Sequence, residues 1–188
     1  MAAPAIIEAL RAATSPAHAA LDAGVHLDRR VRAPGDRLKL VQAFHRFHAS
    51  AETLFDRVLG DVEGLDLAAR ARSPILGADL ADLGAAPDRS PDPLEADRSE
   101  ALGWLYVVEG SSLGGHVITR ALDAQGVDKL GLRFLDPYGA DVGVRWRDVV
   151  AVLDREVAYG RASQARIVAG AQAAFAYACD VLIERGRP

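Results

Sequence analysis

Gly110-Ser111-Ser112-Leu113-Gly114 has the G-x-S-x-G form of a nucleophile elbow, in which Ser112 would attack a carbonyl carbon. Such a serine sits between a strand and a helix and takes its histidine base from later in the chain, after the acid. Of the five histidines, His18, His26, His45 and His48 precede Ser112, and His116 follows it by one helical turn. Without a base the hydroxyl stays a weak nucleophile. The short LYVV run before it also lies inside a longer helical pattern, so the spacing argues against serine chemistry. His45, His48 and Glu52 stand at i, i+3 and i+7 on one helix, a row that could hold a metal. Di-iron bundles, however, use Glu-x-x-His elements from two helices, and the sequence has no Glu-x-x-His. A row beside Phe44 and Phe47 also reads as a packed or solvated helix face. A third group is Arg11 and His18, seven residues apart on one helical face and about 10 Å apart along its axis. His18 projects from the apolar face of that helix, where it could reach a buried metal or act as a core histidine bonded to a carbonyl.

Gly110, Gly114 and Gly115 raise a different question. Inside a helix each costs roughly 1 kcal/mol relative to alanine, and about 3 kcal/mol is a sizeable part of a domain's net stability. Gly110 and Gly114, at i and i+4, open one face, with Ser111 beside them. Close packing of a neighbouring helix would account for this. So would a planar ligand lying against the backbone.

The elements that must position these residues read as helices throughout. Ile7, Leu10, Thr14, His18 and Leu21 mark the first, with Pro16 expected to kink or restart it. Asp36 is expected to cap a second, running to about Gly60 with Leu40, Phe44, Phe47, Ala51 and Leu54 on its core face. A shorter helix is expected over 67–83, ending at Gly84. Asp92-Pro93-Leu94-Glu95 reads as the start of a long helix reaching about Gln125, with Gly126 as its stop. Two more follow over 145–159 and 163–185, with Gly186 beyond the end. No internal repeat, low-complexity tract or linker interrupts the pattern. The expected fold is all-α, a single domain over 1–188.

Composition narrows the class. The 188 residues are 50% hydrophobic and 26% charged, ordinary for a soluble domain, and the net charge of −4 gives no basic stripe for nucleic acid. Cys179 is the single cysteine, so no intramolecular disulfide is available. The N-terminus lacks the pattern of a signal peptide and no apolar run is long enough to span a bilayer. A cytoplasmic location is expected, with neither nucleic acid nor membrane as partner.

Four segments together resemble a known family. LYVVEGSSLGGHVI (105–118) closely resembles the distal-helix motif of bacterial haem oxygenases, usually written around YV-x-EGS-x-LGG. LRAATSPAHAALD (10–22) resembles the proximal segment, in which Leu-Arg and a threonine precede an iron-binding histidine. SPILGADLADLG (73–84) is similar to the third-helix pattern, and FLDPYGADVGVRW (134–146) to the aromatic segment after the distal helix. The matches keep their order across about 10–180, and are closest to small members, including those paired with bacteriophytochromes.

The resemblance implies a haem oxygenase-like bundle that cleaves haem, both cofactor and substrate, to biliverdin, ferrous iron and carbon monoxide. It uses O2 and electrons from an external donor; no G-x-G-x-x-G fingerprint is present, so a ferredoxin or NAD(P)H-dependent reductase is the expected partner, with a bacteriophytochrome as possible biliverdin acceptor. It makes His18 the axial iron ligand, and Arg11 and Arg147 partners of the haem propionates, a role suited to guanidinium. Gly110, Gly114 and Gly115 would bring bare backbone close to the haem. Ser111 stands where mammalian members carry an aspartate, and would either join the proton relay or bond to the preceding turn. His116, about 200° around the helix from Gly114, would face away from haem, and Phe175 and Tyr177 would fill the core. A non-catalytic haem carrier, or a di-iron or thiamin-salvage relative on the same scaffold, are the alternatives.

Overall fold

A computed structural model describes residues 4–183. Its first helix, α1 (Ala5–Val25), buries Ile6, Ile7, Leu10, Thr14 and Val25. Pro16 lies inside α1 without ending it, so of the kink or restart expected there the restart does not occur. The proline ring removes one N–H, but Ala12, whose carbonyl loses that partner, and Pro16 are both exposed, so water can satisfy the carbonyl. A short turn, α2 (Leu27–Arg30), leads into α3 (Pro34–Val58), where Pro34 takes the first turn and Asp36 sits within it instead of capping it. Leu40, Phe47, Ala51 and Leu54 of α3 are buried, and Phe44 packs against the core from a half-buried position.

The expected helix over 67–83 is divided. A 3-10 turn at Ala68–Arg70 ends in extended backbone at Ala71 with ψ 130°, and α4 (Ser73–Asp82) begins afresh. The break is held from α3: a carboxylate oxygen of Glu52 accepts the backbone N–H of Arg72 at 2.6 Å and of Ser73 at 3.1 Å. The long helix, α5 (Arg98–Ala124), starts five residues later than expected, with its cap at Asp97 and not at Asp92. Asp92 cannot cap it, because its carboxylate is taken by Arg46 at 2.6 Å and by the Tyr177 hydroxyl at 2.5 Å. Asp97 and Glu100 close a reciprocal capping box instead. Gly126, with φ 65°, ends the C-terminal turn as expected. Then come α6 (Val142–Ala158) and α7 (Gln164–Leu182); the remainder of the expected last helix and Gly186 lie outside the described residues. No strand occurs among the described residues.

α7 is the strut on which the rest is mounted. Against α5 the two backbones touch: a Cβ on Gly103 would lie 2.0 Å from the Ile167 carbonyl oxygen, and one on Gly170 would lie 2.0 Å from that of Glu100. Further along, Trp104 meets Tyr177 with ring centroids 5.6 Å apart, so α5 and α7 run in the same direction. On the other side, Gln172 donates to the Ala13 carbonyl at 3.4 Å and Ile183 packs on Gly24, so α1 runs in that direction too. α1 and α5 are therefore parallel walls carried on one helix.

Candidate functional site

The wall formed by α1 presents Arg11, Thr14 and His18 along one stripe. The His18 side chain is 62% exposed and packs on Phe175 of α7, the ring centroids 5.7 Å apart. Its Nδ1 lies 2.9 Å from Oδ2 of Asp22, one turn later. A carboxylate there fixes the proton on Nδ1, turns the ring and leaves the Nε2 lone pair for a metal.

The wall formed by α5 presents Tyr106, Gly110, Gly114 and Val117. A side chain at Gly114 would meet nothing within 4 Å, and one at Gly110 would meet only the edge of Trp146 at 3.6 Å. Leu113, Val117 and, on α6, Val144 are exposed at 36%, 65% and 48%. An outward strip of bare backbone and apolar side chains is costly unless something covers it. Trp146 borders the strip, its ring 5.6 Å from that of Tyr106. The Tyr106 phenol is pushed up by burial, while the Thr14 hydroxyl and the Arg11 charge oppose that rise from α1. The two walls thus meet at Thr14 and Tyr106. One turn further along the parallel helices lie His18 on one side and Gly110 on the other, which makes the space between α1 and α5, with Arg11 and Gly114 on its two walls, the candidate cleft. Arg147 is exposed on α6, one residue past Trp146, its guanidinium folded back over Gly143.

Gly115 corrects the sequence reading. It is buried on the reverse of α5, and a Cβ there would lie 2.0 Å from the carbonyl oxygen of Leu135. A rotation of about 100° from Gly114 takes it out of the cleft, and its glycine serves backbone packing against the 3-10 turn Arg133–Leu135. His116 faces the same segment, its Nδ1 3.0 Å from Asp136. Phe175 is buried and Tyr177 half-buried, the latter bonded to Asp92 and to Ser50.

Behind the glycines lies a buried polar cluster that spacing did not reveal. Arg70, from the turn before α4, pairs with Glu109 at 2.6 Å, with both side chains at most 5% exposed. Tyr138 donates to the other Glu109 oxygen at 3.0 Å. Arg72 donates to Ser111 at 3.2 Å and to Ser112. Ser111 in turn donates to the Val108 carbonyl at 2.7 Å, the local bond of the two alternatives. Ser112 sits mid-helix with a guanidinium as partner, which removes the elbow. His48 is buried among Phe44, Phe47 and Arg72, and both burial and the Arg72 charge hold its pKa well below 6.5. Glu52 holds the start of α4 and His48 packs among aromatic rings, and no cluster of three potential metal ligands occurs among the described residues.

The family model described as heme oxygenase matches residues 66–184. The chain belongs to the haem oxygenase family. It is an enzyme of that type, with haem as its substrate. The heme oxygenase of Xanthomonas campestris pv. campestris (strain 8004) is 33% identical over 156 residues, covering 80% of this chain and 90% of that protein. Heme oxygenase PigA of Pseudomonas aeruginosa is 42% identical over 92 residues, covering 47% of this chain and 46% of its own. In structure, the NO- and CO-bound heme oxygenase from Neisseria meningitidis superposes with a TM-score of 0.79 at 26% identity, over 94% of this chain and 89% of that one. The haem oxygenase fold expected from the sequence is therefore the fold observed.

The cleft suits haem on its own terms. A nitrogen donor stands on one wall, bare backbone and apolar side chains on the other, and a guanidinium at the end where the walls meet. That is the complement of a flat apolar macrocycle with a central metal and anionic edge groups. Tyr106 and Asp22 are the residues that sequence reasoning missed there. Tyr106 stands one turn before Gly110 and Asp22 one turn after His18, so helical register alone could have found both.

Proposed function

We propose that haem lies between α1 and α5, with Nε2 of His18 as axial ligand and the backbone of Gly110 and Gly114 against the opposite face. Arg11, assisted by Tyr106, pairs with one propionate and Arg147 with the other. The supporting observation is the empty space at Gly114, where a residue that lowers helix stability faces no protein atom within 4 Å. Close packing of a neighbouring helix, the other reason for glycine, does not apply at that position.

Bound haem supplies the iron at which O2 is reduced and the meso carbon that is oxidised, yielding biliverdin, ferrous iron and carbon monoxide. The chain contributes position and protons. Asp22 orients His18 and, by holding the proton on Nδ1, presents the Nε2 lone pair to the iron. Gly110 and Gly114 bring the α5 wall close enough to confine a small ligand at the iron, and Leu113, Val117 and Val144 exclude bulk water from the apolar edge. Ser111, its own proton committed to Val108, accepts a hydrogen bond and anchors ordered water beside the face; that water delivers the protons. Arg72 holds Ser111 in this role from behind. Electrons come from an external ferredoxin or NAD(P)H-dependent reductase, and a bacteriophytochrome is a suitable acceptor of the bilin. Among the described residues no helix is long and apolar enough to cross a membrane; a cytoplasmic setting is part of the proposal.

Hemin titration of wild type and His18→Ala tests the reading. Wild type should give a histidine-ligated spectrum that bleaches to a bilin when ascorbate or a reductase is supplied under air. His18→Ala should lose the ligated spectrum and regain it with free imidazole. An unaltered spectrum in His18→Ala would remove the proposed ligand, and a wild-type Soret band that persists under turnover conditions would leave a haem carrier.

A further inference from the structure

On the side of α5 away from the cleft, a cavity of about 190 Å³ opens between the start of α4 and the segment 137–145. Ile75 and Pro137 line its apolar part; Arg70, Tyr138, Asp141 and Arg145 line the rest. Arg70 is nine-tenths buried, and its Nε has no partner among the described residues. Its Nη1 is held by Glu109 at 2.6 Å and touches the Arg145 carbonyl at 3.4 Å, and Asp148 lies 3.7 Å from Nη2. The guanidinium of Arg145 lies 5.5 Å from the centroid of Tyr138, and that of Arg72 lies equally far from the same ring. Tyr138 is fixed between them by its hydrogen bond to Glu109.

Arg70 and Arg72 both have Glu109 within 4.0 Å, whereas no carboxylate comes within 4.0 Å of the Arg145 guanidinium among the described residues. Asp141 is the converse, a carboxylate at the same cavity with no cation within 4.0 Å among the described residues. A guanidinium and a carboxylate therefore line one cavity without pairing. Opposite charges held apart across a shared space form a receptor for a molecule that carries both an anionic group and a hydrogen-bond donor. The volume is below the roughly 300 Å³ at which drug-sized ligand sites begin, which restricts the occupant to a small molecule.

We propose that this cavity binds a small oxyacid anion, with its charged oxygens on Arg145 and Arg70 and its remaining O–H donating to Asp141. Hydrogen phosphate is the simplest species with both features. The site is separate from the haem cleft and does not rest on haem binding there.

Calorimetric titration of the full chain with inorganic phosphate, and with sulfate at matched ionic strength, tests it in wild type, Arg145→Met and Asp141→Asn. Both variants change side chains at the cavity mouth, and circular dichroism shows whether they fold. Wild type should bind phosphate saturably at one site and prefer it to sulfate, which has no proton to donate at neutral pH. Arg145→Met should weaken phosphate by about tenfold or more, the worth of one hydrogen bond to a charged group. Asp141→Asn should abolish the preference and admit sulfate. Absence of saturable phosphate binding in wild type, or isotherms in both folded variants equal to wild type, would overturn the assignment. Equal affinity for phosphate and sulfate in wild type would overturn the role given to Asp141.

Discussion

Gly114 and Gly115 are adjacent, chemically identical and in the same helix, yet the structure gives them opposite responses to one added methyl group. At Gly114 the methyl meets no protein atom within 4 Å. Gly114→Ala should therefore gain helix propensity, up to about 1 kcal/mol, and raise the unfolding midpoint of the apoprotein by about 2–4 °C. At Gly115 the methyl would sit 2.0 Å from the Leu135 oxygen and 2.9 Å from its carbonyl carbon. That segment cannot easily retreat, because Asp79 holds the Phe134 N–H at 2.9 Å and Asp136 holds that of Gly139 at 3.1 Å. Overpacking against anchored backbone should cost Gly115→Ala about 2 kcal/mol or more even after the propensity gain. Turnover should divide the pair the other way. The Gly114 methyl projects into the space proposed for the macrocycle, so this more stable variant should cleave haem at least tenfold more slowly, whereas Gly115→Ala should keep its activity in whatever fraction folds. Urea unfolding of the apoproteins and single-turnover bleaching of the Soret band read the two quantities separately. If Gly114→Ala proves less stable than wild type, or bleaches haem at the wild-type rate, the assignment of that face is wrong.

Replacing Asp22 by Asn keeps an acceptor for His18 Nδ1 but removes its charge. Haem should still bind, about tenfold more weakly, and the ferric–ferrous potential should rise because the imidazole donates less electron density; spectroelectrochemistry would show an unchanged potential if Asp22 is a bystander. His48 is held neutral by burial, by the Arg72 guanidinium and by its neighbour His45. The unfolded chain takes up the proton that the folded state refuses, so stability is fully present above pH 6.5 and declines as pH falls below it. The decline is at most about 1.4 kcal/mol per pH unit, and His48→Phe should flatten the slope of unfolding free energy between pH 6.5 and 5; an unaltered slope would assign it to other groups. Glu109→Gln leaves Arg70 and Arg72 without their shared buried carboxylate and should destabilise the chain by about 3 kcal/mol in urea unfolding, whereas a change below 1 kcal/mol would mean the cluster is already well hydrated.

Helix existence was legible from apolar periodicity, but the starts were legible only where the signal is local. Asp97 and Glu100 carry a capping box within three residues. Asp92, with a proline after it, looks equally good until Arg46 and Tyr177, distant in sequence, claim its carboxylate. Pro16 signals a break that exposure makes tolerable. In the cleft, Gly110 and Gly114 follow helical register and could be read directly, whereas Gly115 answers to Leu135, twenty residues away across a loop. The Arg70–Glu109–Arg72 cluster had no sequence signal, since its parts come from a turn and a helix joined only by tertiary packing. Cysteine and charge content bore on the class of protein and located nothing.

The seam at Gly103 and Gly170 has a bearing on how such a protein can diverge. There, main chain rests on main chain, so the distance of α5 from α7 is dictated by atoms that every amino acid shares. Residues around the rim can be exchanged to grip a cofactor at a different angle, or to greet a different redox donor, while the slot keeps its width. Any side chain introduced at that seam would instead push α5 off α7, and the first thing lost would be the fit proposed for a molecule one atom thick.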